Sequence, residues 1–299
     1  MPEHSAGCPD FEAMLATIGA QSFFERYWQK RSLTLSIAKQ EFERILQEVG
    51  PLDVRRFCGL AREGARAWLS NDFVAHSVIP VDESNAERFF QVGATLYFIN
   101  VPLEPLTNAL ADFLGAPRKK VIASLFLTPA GGGAVPHFDK NENFTIQLTG
   151  AKEWIVDEVP SVASPADGYV LGQTVPPSLV PLISLTPEAK SHSVLMHPGS
   201  LLYVPRGAVH QTATGTLSWS LNLSYSPSMW LDLLLVGLRL RLSSSPRWRE
   251  TVTGAGRGCN PHAADASILP ALIRELLTVL DDPHQVADIA KQFLETPDG

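Results

Sequence analysis

His137 and Asp139 stand two residues apart in Pro136-His137-Phe138-Asp139. On a strand, residues i and i+2 face the same side, so both side chains can converge on one ion. A third donor, His210, follows Pro198-Gly199-Ser200-Leu201-Leu202-Tyr203-Val204-Pro205-Arg206-Gly207, in which a Pro-Gly turn opens a strand and a second Pro/Gly turn delivers a histidine to the next. Two imidazoles and one carboxylate on one face of an octahedral ion leave three positions open, the donor set expected of a non-haem Fe(II) oxygenase. A structural zinc wants a closed tetrahedral shell, and no cysteine is placed to finish one. A catalytic zinc with the same three donors stays open. A His-x-Asp pair alone recurs by chance; here it gains weight from the Gly-rich strand end before it, the strands after it and the Pro/Gly frame of His210. Of the other histidines, His197 is the best rival.

Around these residues the pattern is one of short apolar or alternating runs from Val121 to Tyr225, separated by Gly and Pro: VIASLFLTP, FTIQLTG, KEWIVDEV, SVLMHPGSLLYVP, HQTAT and LSWSLNLSY. Strands at this spacing, joined by turns, predict an antiparallel barrel or sandwich. Pro160 to Pro187, proline-rich and aperiodic, predicts a long loop over the barrel mouth. Upstream, helical spacing covers Phe11 to Ile18, Phe23 to Trp28, Ile37 to Val49, Val54 to Ala67 and Leu106 to Leu114, with strand-like Ser77 to Val81 and Ala94 to Asn100 between them. Downstream, helices are expected over Trp230 to Leu242 and Ala271 to Leu294, broken near Asp282-Pro283, with a linker from Ser243 to Ser267.

With 24 basic and 31 acidic residues, the chain has no global electrostatic grip for nucleic acid or an anionic membrane. The longest apolar run, Trp230 to Leu242, is too short and too interrupted by charge to span a bilayer. The N-terminus does not read as a targeting signal. Cys8, Cys58 and Cys259 are far apart and in no CxxC pair, which fits ordinary thiols in a reducing, cytoplasmic compartment.

The stretch PHFDKNENFTIQLTGAKEWIV, with PGSLLYVPRGAVHQTAT downstream and SFFERYWQKRSLTLS near the N-terminus, resembles the jumonji-C oxygenases. The likeness runs from about Ser22 to Tyr225 and is nearest to the cupin-like branch of bacterial ribosomal-protein hydroxylases and the asparaginyl hydroxylase that acts on hypoxia-inducible factor. It implies a mainly β fold, a double-stranded β-helix of the cupin or jelly-roll kind, with N-terminal helices (1–115), a catalytic core (116–228) and a C-terminal helical region (229–299) for dimerisation. It implies Fe(II) on His137, Asp139 and His210, with 2-oxoglutarate and dioxygen as cosubstrates. The family's basic residue, thirteen positions after the aspartate, falls on Lys152, where it pairs with the distal carboxylate of 2-oxoglutarate. Without the triad, Lys152 reads as a solvated hairpin lysine. Asn143 and Asn222 match amides beside the cosubstrate, though bonding to neighbouring strands explains them nearly as well. Ala134 stands where some relatives have a threonine, and Tyr97, Ser124 or Thr145 is the candidate to replace that hydroxyl.

The activity implied is hydroxylation of a protein or peptide side chain. Only about seventy residues follow Tyr225, enough for a dimerisation region without the full winged helix of the ribosomal-protein hydroxylases. A free amino acid or natural-product intermediate is therefore the alternative substrate. Two other classes remain: a cupin metalloenzyme without 2-oxoglutarate, which has no need of Lys152, and a non-catalytic binding protein, which has no need of all three ligands.

Overall fold

Polar and apolar residues alternate through Ser218-Trp219-Ser220-Leu221-Asn222-Leu223-Ser224-Tyr225, and this period of two divides the protein into an outer core and an inner cavity. In the computed structural model, which describes residues 9–69, 78–180, 190–250 and 268–294, Trp219, Leu221 and Leu223 join a large core. Ser220 and Asn222, on the opposite face, line a cavity. The flanking strands repeat the division: Phe144, Ile146 and Leu148 lie in the core, whereas Asn143 and Thr145 line the cavity.

The first part of the chain runs α1 (Phe11–Met14), α2 (Ala20–Arg26), β1 (Leu33–Ser36), α3 (Lys39–Val49), α4 (Val54–Leu60), β2 (Ala65–Trp68), β3 (Ile79–Val81), α5 (Ala86–Gln91), β4 (Thr95–Phe98) and α6 (Glu104–Leu114). The strands that follow are β5 (Val121–Thr128), β6 (Gly133–Phe138), β7 (Glu142–Thr149), β8 (Lys152–Asp157), β9 (Tyr169–Val170), β10 (Ser191–Met196), β11 (Ser200–Val204), β12 (His210–Ala213) and β13 (Ser218–Tyr225). They form two antiparallel sheets, one ordered β1-β11-β7-β13-β5-β4-β2-β3 and the other β10-β8-β12-β6-β9. This is the expected double-stranded β-helix with flanking helices.

The helices cover the outer face of the large sheet. Phe11 of α1 meets Phe144 edge-on at 5.1 Å, and Phe23 of α2 meets Tyr203 at 5.1 Å. Leu106 and Leu110 of α6 are fully buried in the same core. Each such side chain contributes roughly 1.5–3 kcal/mol by leaving water. Because helices take up the apolar face, the opposite face is free to carry polar groups.

Several expectations change. The helix expected over Val54 to Ala67 stops at Leu60, and Ala65–Trp68 is a strand. Gly64, at φ 80°, turns the chain out of the helix, and the buried-exposed alternation after it has period two. The helix Ala86–Gln91 was not anticipated. Within the expected loop, Tyr169–Val170 pairs with β6 and a small core joins Phe138, Val162 and Leu179. Ser77, residues 181–189 and most of the expected linker lie outside the described residues.

Contacts divide the chain into residues 1–227 and 228–299. The second unit holds α7 (Trp230–Ser243), α8 (Ile268–Asp281) and α9 (Pro283–Leu294). Gly237 lets α9 approach α7, since a Cβ there would lie 2.6 Å from Ile289 Cγ2.

At Gly133 on β6, an added Cβ would lie 1.9 Å from the Thr212 carbonyl oxygen of β12. Gly133→Ala must therefore push β6 from β12, with an expected destabilisation of about 1–3 kcal/mol in urea unfolding of the metal-free protein.

Candidate active site

β6 and β12 pair so that His137 lies directly opposite His210. Their ring centroids are 4.2 Å apart, and Asp139, one residue past β6, brings Oδ2 to 3.7 Å from His210 Nε2. One donor atom from each of the three residues falls within 4.8 Å of the others. Both imidazoles are held alike: His137 Nδ1 lies 2.8 Å from the Val135 carbonyl and His210 Nδ1 3.0 Å from that of Ala208. A proton on Nδ1 satisfies each bond and leaves the Nε2 lone pair free for a metal. Burial, followed by the neighbouring His137, pushes His210 down to about 4, so its imidazole stays neutral and fit to ligate at ordinary pH.

The turns that deliver the ligands are tied together. Gly207, at φ 82°, donates its N–H to the Asp139 carbonyl at 2.9 Å, joining the turn before β12 to the end of β6. Beneath it, Tyr203 donates to Glu142 Oε2 at 2.6 Å, the Arg206 N–H reaches the same oxygen at 3.3 Å, and the Arg206 guanidinium stands 3.6 Å from Oε1. Burial raises the Glu142 carboxyl, while Tyr203 and Arg206 act to lower it. The Gln29 N–H donates to Tyr203 Oη at 2.9 Å, which brings the N-terminal segment into the network.

Asn143 and Asn222 lie in one line of hydrogen bonds toward the triad. Thr145 Oγ1 donates to Asn222 Oδ1 at 3.2 Å, Asn222 Nδ2 to Asn143 Oδ1 at 3.0 Å, and Asn143 Nδ2 to Asp139 Oδ2 at 2.7 Å. All three amide or hydroxyl side chains also line the inner cavity. Tyr97 instead lines a second cavity that adjoins the inner one, stacked on Phe126 at 4.4 Å, and Ser124 lines neither, its hydroxyl accepting from the Asn100 N–H.

Lys152 is not a solvated hairpin lysine. It begins β8, whose alternation turns Lys152, Trp154 and Val156 inward, and is only 4% exposed. Nζ donates to Thr128 Oγ1 at 3.2 Å and lies 5.9 Å from the Phe126 ring centroid. Among the described residues no carboxylate pairs with it, and burial pushes its ammonium down to about 7. Two buried polar atoms of the inner cavity, Thr95 Oγ1 and Trp154 Nε1, lack a hydrogen-bond partner among the described residues. A buried ammonium without a counter-charge is costly, and an anion in the cavity would relieve that cost. The residues thus fit a divalent metal at the triad and a carboxylate at Lys152.

Residues 101–233 match the model of the JmjC domain. That match covers less than half of the chain. The chain is 26% identical over 298 residues to the Bacillus subtilis protein YxbC, of uncharacterised function, covering 91% of this chain and 86% of that one. It is 28% identical to mouse ribosomal oxygenase 2, over 75% of this chain and 49% of the relative. The chain spans about half the length of that relative, and less of others in the group, such as 20% of the Drosophila melanogaster bifunctional lysine-specific demethylase and histidyl-hydroxylase NO66, at 31% identity. Its fold matches that of the Escherichia coli ribosomal oxygenase YcfD, solved with cobalt and 2-oxoglutarate, with a TM-score of 0.55, 20% identity, and coverage of 92% of this chain and 70% of that one.

The barrel also holds groups that sequence reasoning passed over. Thr128, the partner of Lys152, carried no motif, and its position opposite Ser218 on β13 emerges only once the strands are in register. Gln147, fully buried, accepts from Ser220 and donates to Ser218, closing the polar row at the bottom of the barrel.

In the metal- and ligand-free protein, the unfolded chain holds the Lys152 proton up to about 10.5 and the folded chain releases it near 7. Folding therefore releases that proton within this window, and stability rises with pH across it. Lys152→Met is expected to remove that rise and to raise the thermal midpoint at pH 7, measured by circular dichroism.

Proposed function

We propose that this protein is an Fe(II)- and 2-oxoglutarate-dependent hydroxylase acting on a protein or peptide side chain. The observation that carries it is the meeting, in one cavity, of a His137-Asp139-His210 donor set with a buried Lys152 that has no counter-charge among the described residues. Lys152 weighs against a cupin enzyme that works without 2-oxoglutarate, and the intact donor set weighs against a purely binding role. The names of the ribosomal oxygenase relatives support a protein substrate.

His137, Asp139 and His210 would hold the iron, with Asn143 fixing the Asp139 carboxylate in its orientation. Lys152 and Thr128 would hold the distal carboxylate of 2-oxoglutarate, and Asn222 and Thr145 would orient the amide row beside it. Iron and 2-oxoglutarate, when bound, supply oxidative decarboxylation coupled to insertion of one oxygen atom from dioxygen into a substrate C–H bond. The chain's part is positional. Its strands keep the reacting groups aligned within a cavity walled by Trp154, Phe126 and Val204, which limits water.

In the second unit, Trp230, Leu234 and Leu235 of α7 and Leu277 of α8 are exposed, Trp230 at 86%. Exposed apolar surface of this kind marks an association site and supports a homodimer through the C-terminal helices. Among the described residues no helix is long and apolar enough to cross a membrane. Cys58 is a free thiol, in keeping with a cytoplasmic setting.

Anaerobic addition of Fe(II) and 2-oxoglutarate is expected to give a visible metal-to-ligand charge-transfer band that His137→Ala abolishes; a wild-type protein with no band overturns the proposal. A Leu234→Glu, Leu277→Glu double variant is expected to sediment as a monomer where the native chain sediments as a dimer.

A further inference from the structure

Beyond the inner cavity lies an outer one of about 480 Å³, which shares His137, Asp139 and Asn143 with it and opens outward between β2, β4 and β6. Among the described residues, Arg66 and Asp139 are the charged ones in its lining, and Asp139 belongs to the triad. Arg66 is exposed and, among the described residues, makes no ion pair; the nearby Glu63 accepts from Asn100 instead.

Arg66 stands at the end of a built row. On β2 it lies directly opposite Tyr97 of β4, which lies opposite Phe126 of β5. Directly paired residues share a sheet face, so the three side chains follow one another from the mouth inward. Tyr97 and Phe126 stack at 4.4 Å and 8°, and Trp68 stands edge-on to both at 6.2 and 6.1 Å. The Trp68 indole N–H donates to the Gly133 carbonyl at 3.1 Å, fixing this wall to the strand that bears His137. Phe126 in turn faces Lys152. At about 4.8 Å per strand, the Arg66 backbone lies two strands, or about 10 Å, from that of Phe126.

We infer that the substrate carries a carboxylate, which Arg66 holds at the mouth while the aromatic row carries the substrate's apolar body inward to the triad. This rests on the hydroxylase reading above. A guanidinium recognises a carboxylate by two parallel hydrogen bonds. A cationic substrate group placed here would face Arg66, and among the described residues the one carboxylate of the lining, Asp139, belongs to the triad. The same chemistry is offered by a free acidic amino acid and by an acidic residue within a peptide.

The test uses the full chain loaded with Mn(II) and N-oxalylglycine, loading being verified by water-proton relaxation. N-acetyl-glutamate amide, its isostere N-acetyl-glutamine amide, N-acetyl-arginine amide and free glutamate are then titrated, with tryptophan fluorescence as the readout. An acidic probe is expected to bind at least tenfold more tightly than the glutamine and arginine probes. Arg66→Gln is expected to erase that preference and Arg66→Lys to restore part of it. Tighter binding of the blocked amide assigns the carboxylate to a peptide, and tighter binding of free glutamate assigns it to an amino acid. Equal binding of the glutamine probe, tighter binding of the arginine probe, no binding of either acidic probe, or a preference that survives Arg66→Gln overturns the inference while the hydroxylase reading stands. A protein that takes up neither Mn(II) nor N-oxalylglycine overturns both.

Discussion

The antiparallel pairing of β6 with β12 is the constraint on which the site depends. It sets His137 opposite His210, and the Gly207 N–H to Asp139 carbonyl bond fixes the turn that follows one strand against the turn that precedes the other. A slip of one residue in that register would send an imidazole to the wrong face. Gly133 permits the close approach of the two strands, and the bonds from both Nδ1 atoms to backbone carbonyls convert strand register into imidazole orientation. The geometry of the donor set is thus written mostly in backbone contacts, with few side chains needed to hold it.

A second constraint is the division of faces. Helices α1, α2 and α6 bury the apolar face of the large sheet, and the opposite face can then carry serine, threonine, asparagine and lysine without forfeiting the main core. That polar interior satisfies itself almost completely through Thr145, Asn222, Asn143, Ser220 and Gln147. Among the described residues, Thr95 Oγ1 and Trp154 Nε1 are buried without a partner in the lining of the inner cavity, beside Lys152, whose bond to Thr128 leaves its charge uncompensated; Ser32, Glu142, Thr149 and Arg206 carry such atoms elsewhere. Unsatisfied buried groups are uncommon in folded proteins, and the two beside Lys152 leave that wall able to receive a polar ligand.

The barrel strands were legible because period-two alternation and Pro/Gly turns are local signals, and the donor set was legible because His-x-Asp is a local spacing, although only His137 lies on β6 and Asp139 follows its last residue. The Val54 helix was drawn too long because Ala65 and Ala67 supply apolar positions compatible with either period, and Gly59 and Gly64 were the only local breaks, of which Gly59 lies within the helix that forms. Lys152 could be placed by its distance from Asp139, but its burial depends on which way β8 faces. Thr128 and Gln147 were out of reach because their partners lie on other strands. The Glu142 and Arg206 pair was missed for the same reason: 64 positions separate its members in sequence.

The bond from Gln29 to Tyr203 joins residues 174 positions apart. During synthesis, the ribosome releases His137 and Asp139 well before β11 and β12 exist, and a nascent chain at that stage offers only two of the three donors. Completion of the donor set waits for the strand that bears His210 to insert beside β6 and for Tyr203 to lock against a segment made near the beginning. Contacts of such long range form late. The order of chain growth thereby completes the three-donor set only as the barrel that encloses it closes.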